Sequence, residues 1–207
     1  MDRPTDVMLM NPPPPHEATR LPRFTPQRAI VLVGLMGAGK TKIGRRLAAR
    51  LNLPFFDSDN EIEAAAGETI EEIFRHRGEA VFRAGERRVI ARLLTRPPHV
   101  LATGGGAFMD AGTRAAITRS GISVWLRADL DVLLARVARR TDRPLLQQKD
   151  PRAVMAALIE QRYPIYAEAD LVVDSGEGPA DQTAARVIAG LADCPKALQA
   201  PDPGGPA

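Results

Sequence analysis

The sequence contains very little cysteine, since Cys194 is the only one among 207 residues. A single cysteine allows no disulfide bond within the chain and no cysteine-based metal cluster, which suits a reducing compartment. Long hydrophobic runs are also missing, because the longest, residues 29–35, is far shorter than the roughly 20 residues that a membrane-spanning helix needs. We therefore expect no disulfide and no membrane-spanning segment.

Strong charge of one sign is absent as well. The formal net charge is +3, aromatic residues make up 4% of the chain, and the arginines are scattered rather than gathered in a basic block with interleaved aromatics. These features argue against a nucleic-acid-binding protein. The N-terminus has no apolar core followed by a small-residue cleavage site, so it does not resemble a secretory signal. We expect a cytoplasmic monomer that binds neither nucleic acid nor membrane.

The two ends of the chain differ in composition from its centre. Residues 1–27 are rich in proline, which disfavours helices and inner strands, and we expect an unstructured tail there. A polyproline docking segment is the alternative. Residues 194–207 are also expected to form an unstructured tail. The remaining residues, 28–193, are enough for a single domain with one hydrophobic core.

Within this domain, short apolar runs alternate with longer amphipathic segments, which predicts an α/β fold with a parallel sheet between layers of helices. The first predicted helix carries Ile43, Leu47 and Leu51 on one stripe. Five strands are predicted, at residues 29–33, 54–56, 100–103, 123–126 and 171–173.

A glycine-rich segment follows the first predicted strand. Residues 34–41 read GLMGAGKT, which satisfies the P-loop pattern G-x-x-x-x-G-K-[ST] between a strand and an amphipathic helix. In this pattern the backbone N–H groups and the positive end of the helix dipole attract phosphate. We expect Lys40 to reach the β- and γ-phosphates of ATP and Thr41 to ligate Mg²⁺. The expected nucleotide contacts in the loop are Gly37, Ala38, Gly39, Lys40 and Thr41.

Other P-loop classes fit the sequence less well. The three asparagines, Asn11, Asn52 and Asn60, do not form the Asn-Lys-x-Asp motif expected of a GTPase. Helicases and motor ATPases usually end a later strand in a metal-binding aspartate, whereas here the strand at 100–103 is followed by three glycines. A small-molecule kinase with three layers and a lid is therefore predicted.

Two aspartates can supply the acid that such a kinase needs. Asp57 and Asp59 follow the strand at 54–56, which brings them to the carboxyl edge of the sheet beside the P-loop. Asp57 is the candidate metal residue, and Asp59 the candidate for facing a substrate hydroxyl. The alternative is that Ser58 or Asp59 only caps a helix beginning near Asn60.

Six segments occur in the order typical of one family. They are GLMGAGKT at 34–41, DSD at 57–59, GExxFRxxE at 78–86, GGG at 104–106, RPLL at 143–146 and RxxxY at 162–166. With this ordered set the chain resembles shikimate kinases over about residues 29–175. The resemblance implies magnesium-dependent transfer of the γ-phosphate of ATP to the 3-hydroxyl of shikimate, in aromatic amino-acid biosynthesis.

The resemblance also implies residue roles in substrate binding. Arg83 and Arg162 match the arginines that bind the substrate carboxylate, and Asp59 matches the hydroxyl-binding aspartate, a candidate base. Guanidinium donors for the carboxylate and an acidic acceptor for the hydroxyls are also what the chemistry of such a substrate requires. The backbone of Gly104, Gly105 and Gly106 can approach the substrate closely because no Cβ intervenes.

Glu86 lies three residues after Arg83 and can hold its guanidinium in position on a shared helix face. The alternative for this pair is an ordinary surface ion pair.

The polar stretch at residues 138–151 is the predicted lid, and Arg143 matches the lid arginine of the family. The predicted catalytic residues are Lys40, Asp59 and Arg143. Arg136 matches a residue near the adenine. Lys42 stands where the family more often has a small hydroxyl residue, and it can either reach the α-phosphate or point into solvent.

Two rival functions remain open on sequence alone. A gluconate kinase of the same architecture would share the P-loop and the lid, and a nucleotide-binding scaffold would have no turnover.

Overall fold

The computed structural model describes residues 25–139 and 150–200 of the chain. Nearly all of the tail predicted at residues 1–27 lies outside the described residues. So does Arg143, together with most of the predicted lid. The predictions for these segments are therefore not addressed by the fold.

The centre of the fold is a sheet of five strands with the order β2-β3-β1-β4-β5, and every neighbouring pair is parallel. The strands are β1 (Ala29–Val33), β2 (Phe55–Asp57), β3 (Val100–Ala102), β4 (Gly121–Arg127) and β5 (Leu171–Asp174). All five predicted strands are present. Strand β4 is longer than predicted because Gly121 and Ile122 also pair with β1.

Helices flank this sheet, as predicted for an α/β fold. Their bounds are α1 (Lys40–Leu51), α2 (Ser58–Ala66), α3 (Ile70–Leu94), α4 (Ala111–Ser120), α5 (Leu130–Ala138), α6 (Pro151–Tyr166), α7 (Ala180–Ala192) and α8 (Pro195–Leu198). Helix α1 packs against α7, while α3 packs against α2 and α4. The predicted stripe of α1 faces the core: Ile43 and Leu47 are buried and Leu51 is half-buried.

The C-terminal segment differs from the prediction of an unstructured tail. Helix α8 follows Cys194, and its Ala197 is fully buried. The buried Arg28 guanidinium donates hydrogen bonds to the carbonyls of Gln199 and Ala200. The sequence pattern of residues 195–200 gave no sign of this order, because it comes from contacts with the distant start of β1 rather than from local preference.

The sheet topology decides where a ligand can bind. The connection leaving β1 runs to β2 at one edge of the sheet, whereas the connection leaving β3 crosses to β4 on the other side of β1. In parallel sheets, a crevice forms at the carboxyl ends of strands where connections diverge in this way. Within the described ranges, no helix has the length and apolar character needed to cross a bilayer.

Candidate active site

A cleft of about 740 Å³ lies at the carboxyl ends of β1, β2 and β3. It brings together segments that are far apart in the sequence: the P-loop, the aspartates where β2 meets α2, the middle of α3, the glycine loop (residues 104–106), two residues of α5 and one of α6. The predicted site residues that line it are Gly37, Gly39, Lys40, Thr41, Lys42, Asp57, Asp59, Arg83, Gly104, Gly105, Gly106, Arg136 and Arg162.

The P-loop has the backbone that its glycines predict. Gly34, Gly37 and Gly39 all have positive φ, at 137°, 82° and 94°. A Cβ at Gly34 would lie 2.8 Å from the Leu126 carbonyl oxygen, so both conformation and space require glycine there. Helix α1 begins at Lys40 with no side-chain cap on its first N–H groups. Uncapped N–H groups at a helix start are suited to phosphate.

Ala38 is the one P-loop residue predicted to bind nucleotide that does not line the cleft. Its side chain is buried, and its N–H donates to the Leu35 carbonyl at 3.1 Å. The Ala38 carbonyl in turn accepts a hydrogen bond from Ser175 Oγ at 2.8 Å. In this structure Ala38 therefore holds the loop against its surroundings.

Lys40 and Thr41 face the cleft from the start of α1. Lys40 Nζ donates to the carbonyls of Gly34 and Leu35, at 2.7 and 3.0 Å. Thr41 Oγ1 donates to Asp57 Oδ2 at 2.7 Å. The predicted metal residues of two separate segments are thus in direct contact. Lys42 is exposed at the rim.

The cap of the helix after β2 is Asp57, and not Ser58 or Asp59 as in the alternative raised by the sequence. Helix α2 begins at Ser58, and Asp57 caps it by accepting from the Asp59 N–H at 3.2 Å. Ser58 Oγ accepts a hydrogen bond from Gly104 N at 3.0 Å, so this buried serine ties α2 to the glycine loop. Asp59 lines the cleft and is not the cap.

The glycine loop is surrounded by charged side chains. A Cβ at Gly104 would lie 2.8 Å from Glu86 Oε1 and 3.0 Å from Asp59 Oδ1. A Cβ at Gly106 would lie 2.6 Å from Arg83 Nη1. An alanine at Gly104 or Gly106 would therefore displace the carboxylates or the guanidinium that pack directly on this backbone.

Arg83 is held by two glutamates on its own helix. Its Nη1 donates to Glu86 at 2.8 Å, and its Nε and Nη2 donate to Glu79 at 3.2 Å. Burial acts to lower the pKa of Arg83, but these carboxylates outweigh it and raise the pKa, so the guanidinium stays charged. Glu86 is only 3% exposed, so the alternative of an ordinary surface pair fits Glu79 and not Glu86.

Arg162 enters the cleft from α6. Its Nη1 donates to the Gly105 carbonyl at 3.1 Å. Arg162 and Arg83 thus contact successive parts of one glycine loop, and two guanidiniums converge where Asp59 also lies.

Arg136 lies at the other end of the cleft, beside the P-loop. It donates to the carbonyls of Gly37 and Gly176 and to the hydroxyl of Ser175. Burial lowers the pKa of this guanidinium. The guanidinium thus braces the P-loop against the segment after β5.

Several residues that line or support the cleft were not predicted from the sequence. Ser58 and Ser175 position the loops, while Phe74, Glu177 and Pro179 line the walls. Ser175 carries a usable signal, since it is the first residue after β5 and so lies at the carboxyl edge of the sheet. Phe74 is an exposed aromatic residue on α3 with no sequence pattern to distinguish it.

A sequence model of the family described as shikimate kinase matches residues 36–192, which is well over half of the chain. The chain belongs to the shikimate kinase family. A shikimate kinase from Paramagnetospirillum magneticum is 60% identical over 164 residues, covering 79% of this chain and 84% of that protein. The chain is accordingly an ATP-dependent kinase.

Solved structures agree with this membership. The shikimate kinase from Acinetobacter baumannii, determined in complex with shikimate, has a TM-score of 0.76 and 40% identity, covering 80% of this chain and 93% of that one. A gluconokinase from Sinorhizobium meliloti has a TM-score of 0.52 and 20% identity, covering 82% and 95% of the two chains. That second likeness concerns the fold alone.

Proposed function

We propose that this chain transfers the γ-phosphoryl group of ATP to the 3-hydroxyl of shikimate, giving ADP and shikimate 3-phosphate. The observation that carries the proposal is the arrangement around the glycine loop, where Arg83, Arg162 and Asp59 converge next to a P-loop. Two guanidiniums suit a carboxylate, and an acid suits the hydroxyls of the same small molecule.

The nucleotide occupies the P-loop end of the cleft in this proposal. Lys40 exchanges its two carbonyl acceptors for the β- and γ-phosphates, and the uncapped N–H groups of α1 add backbone donors. Gly37 and Gly39 keep the backbone close to the phosphates, with Ala38 bracing the loop from behind. Arg136 borders the adenine.

Two further residues complete the nucleotide assignment. Lys42, exposed at the rim of the cleft, is the candidate for contacting the α-phosphate, and Arg143 is the candidate for stabilising the transferred phosphoryl group.

Thr41 and Asp57 are the residues that would hold Mg²⁺. Their oxygen atoms are 2.7 Å apart at the start of α1. Among the described residues, no group of three or more metal-binding side chains occurs. A small all-oxygen set suits Mg²⁺, which keeps several waters and phosphate oxygens as ligands. When bound, the ion would neutralise charge on the phosphates.

Asp59 is proposed to face the 3-hydroxyl at the other end of the cleft. Its carboxylate can accept the hydroxyl proton, or orient the hydroxyl towards the γ-phosphate. Phosphoryl transfer through a loose transition state needs little help from a base, so orientation is a sufficient role. Arg83 and Arg162 fix the carboxylate and thereby the ring that carries the hydroxyl.

The test is ADP release by the purified protein with Mg-ATP and four separate acceptors: shikimate, quinate, gluconate and none. We expect turnover with shikimate well above the other three. Turnover with gluconate instead would favour the rival kinase, and no turnover with any acceptor would favour the scaffold. We further propose that the protein acts as a cytoplasmic monomer, which sedimentation and fractionation would test.

A further inference from the structure

A buried tyrosine hydroxyl contacts the glycine loop of the cleft. Tyr166 is the last residue of α6, and only 1% of it is exposed. Its ring packs on those of Phe108, Trp125 and Tyr163. Its hydroxyl donates to the Gly105 carbonyl. Burial raises the pKa of Tyr166 to about 12, so the hydroxyl remains a proton donor at neutral pH.

This hydroxyl is not needed for packing. A phenylalanine would fill the same aromatic space, and a buried hydroxyl is unfavourable unless it is hydrogen-bonded. The hydrogen bond to the Gly105 carbonyl is therefore what distinguishes the tyrosine from a phenylalanine at this position. Gly105 lines the cleft.

The same carbonyl oxygen also accepts from Arg162. Tyr166 and Arg162 are four residues apart on α6, so they lie on the same face of the helix. Gly105 thus receives one neutral and one charged donor, and the guanidinium lies beside the tyrosine oxygen. Fixing one donor on this carbonyl limits where the other can move.

The geometry of the peptide bond extends this effect into the cleft. In a trans peptide the C=O and the following N–H point in opposite directions. A Gly105 carbonyl held towards α6 therefore turns the Gly106 N–H away from α6. Gly106 lines the cleft, and Arg83 packs directly against it.

We propose that Tyr166 is a positioning residue for the substrate: its hydroxyl fixes the Gly105 carbonyl, and through it the Arg162 guanidinium. This proposal rests on the function proposed above. Tyr166 touches neither substrate nor nucleotide in this role, and it acts by keeping the carboxylate-binding arginine in place.

Tyr163 provides a matched control on the same helix and in the same aromatic cluster. Its ring lies 4.8 Å from that of Trp125, and its hydroxyl donates to the Ala128 carbonyl. Ala128 does not line the cleft. Tyr163→Phe therefore removes a comparable hydrogen bond without releasing the glycine loop.

The experiment compares steady-state kinetics of the wild type, Tyr166→Phe and Tyr163→Phe with both substrates. We expect Tyr166→Phe to raise the KM for shikimate by about three- to tenfold. Its kcat and its KM for ATP should stay within about twofold of the wild type. Tyr163→Phe should change none of these values by more than about twofold, although both variants should lower the midpoint of thermal unfolding.

An unchanged KM for shikimate in Tyr166→Phe would overturn this proposal alone, and so would an equal rise in Tyr163→Phe. Absence of shikimate turnover by the wild type would overturn the proposed function as well. Calorimetric titration of shikimate onto each variant gives an affinity that does not depend on turnover.

A double variant tests the route through Arg162. In an Arg162→Ala background, Tyr166→Phe should weaken shikimate binding little further, because the group that it positions is gone. Fully additive losses would contradict that route.

Discussion

Arg83 Nη1 lies 2.8 Å from Glu86 Oε2, and the carboxylate that holds it is almost completely buried. Within the described part of the chain, the second oxygen, Oε1, has no hydrogen-bond partner. That oxygen faces Gly104, and a carboxylate oxygen of Asp59 faces the same glycine. A buried carboxylate therefore supports the proposed carboxylate-binding arginine from behind.

Replacing Glu86 should weaken shikimate binding through Arg83. In Glu86→Gln a neutral amide takes the place of the charged acceptor, and we expect the KM for shikimate to rise about tenfold with little change for ATP. Glu79→Gln removes the exposed partner of the same arginine and should change the KM by less than about twofold. Equal effects of the two substitutions on the KM would contradict the assignment.

Glu86 should also make stability depend on pH. Burial raises its pKa above the ordinary value of 4.5, against the lowering effect of Arg83. A carboxyl whose pKa is raised by folding stabilises the folded state below its unfolded-state pKa, and this contribution is lost as pH rises through its folded-state pKa. The wild type should therefore lose stability as the pH rises from 4.5 to neutrality, and Glu86→Gln should lack this loss. The free energy of unfolding of Glu86→Gln minus that of the wild type should thus increase over this range. Urea unfolding at both pH values measures this, and an opposite trend would refute it.

The three glycines of the loop should differ in their tolerance of alanine. Gly106→Ala places its Cβ 2.6 Å from Arg83 Nη1 and should raise the KM for shikimate by about tenfold or more. At Gly105 the nearest atom to a Cβ is Met36 N at 3.5 Å, an ordinary contact distance. Gly105→Ala should be the milder change. Steady-state kinetics of both variants test this order. A larger rise of the KM for shikimate in Gly105→Ala would show that steric contact of the added Cβ does not determine the effect.

Two glycines of α3 offer a test of backbone strain alone. Gly78 interrupts the helix with φ 79° and ψ 170°, and a Cβ at Gly78 or at Gly85 would meet no atom within 4 Å. Gly78→Ala should lower the free energy of unfolding by about 1–3 kcal/mol. Gly85→Ala, in regular helix, should raise it by about 0.5–1 kcal/mol. Denaturant titration of both variants measures these changes in the free energy of unfolding. A stabilised Gly78→Ala would contradict the positive φ of Gly78.

Replacing Asp57 should weaken the binding of Mg²⁺. Asparagine caps helices as well as aspartate does, so Asp57→Asn keeps the cap of α2 but removes a charge beside Thr41. We expect the Mg²⁺ concentration for half-maximal ADP release to rise by about 10–100-fold. Asp110→Asn alters the equivalent cap of α4, which does not line the cleft, and should leave that concentration unchanged.

The local sequence accounts for much of this site, and the cases where it failed have a common cause. The P-loop was predictable because its glycine pattern directly follows an apolar strand. The position of Asp57 and Asp59 was predictable because they come at the end of a second apolar run. The hydrogen bond between the Ala38 carbonyl and Ser175 Oγ was not predictable, since Ser175 lies 137 residues away along the chain. The helix after Cys194 was missed for the same reason, because its contacts are with the start of β1.

The sequence by itself determined the fold class, the phosphate-binding loop and the ordered motifs of a shikimate kinase, because these depend on short-range periodicity, on glycine conformation and on motif order. Only the tertiary structure decided which side chains share a carbonyl or a carboxylate. Asp57 is both a cap and the partner of Thr41, and Gly105 joins Arg162 to Tyr166. Such pairings depend on distances between residues that are far apart in the chain, and strand order and helix packing set those distances.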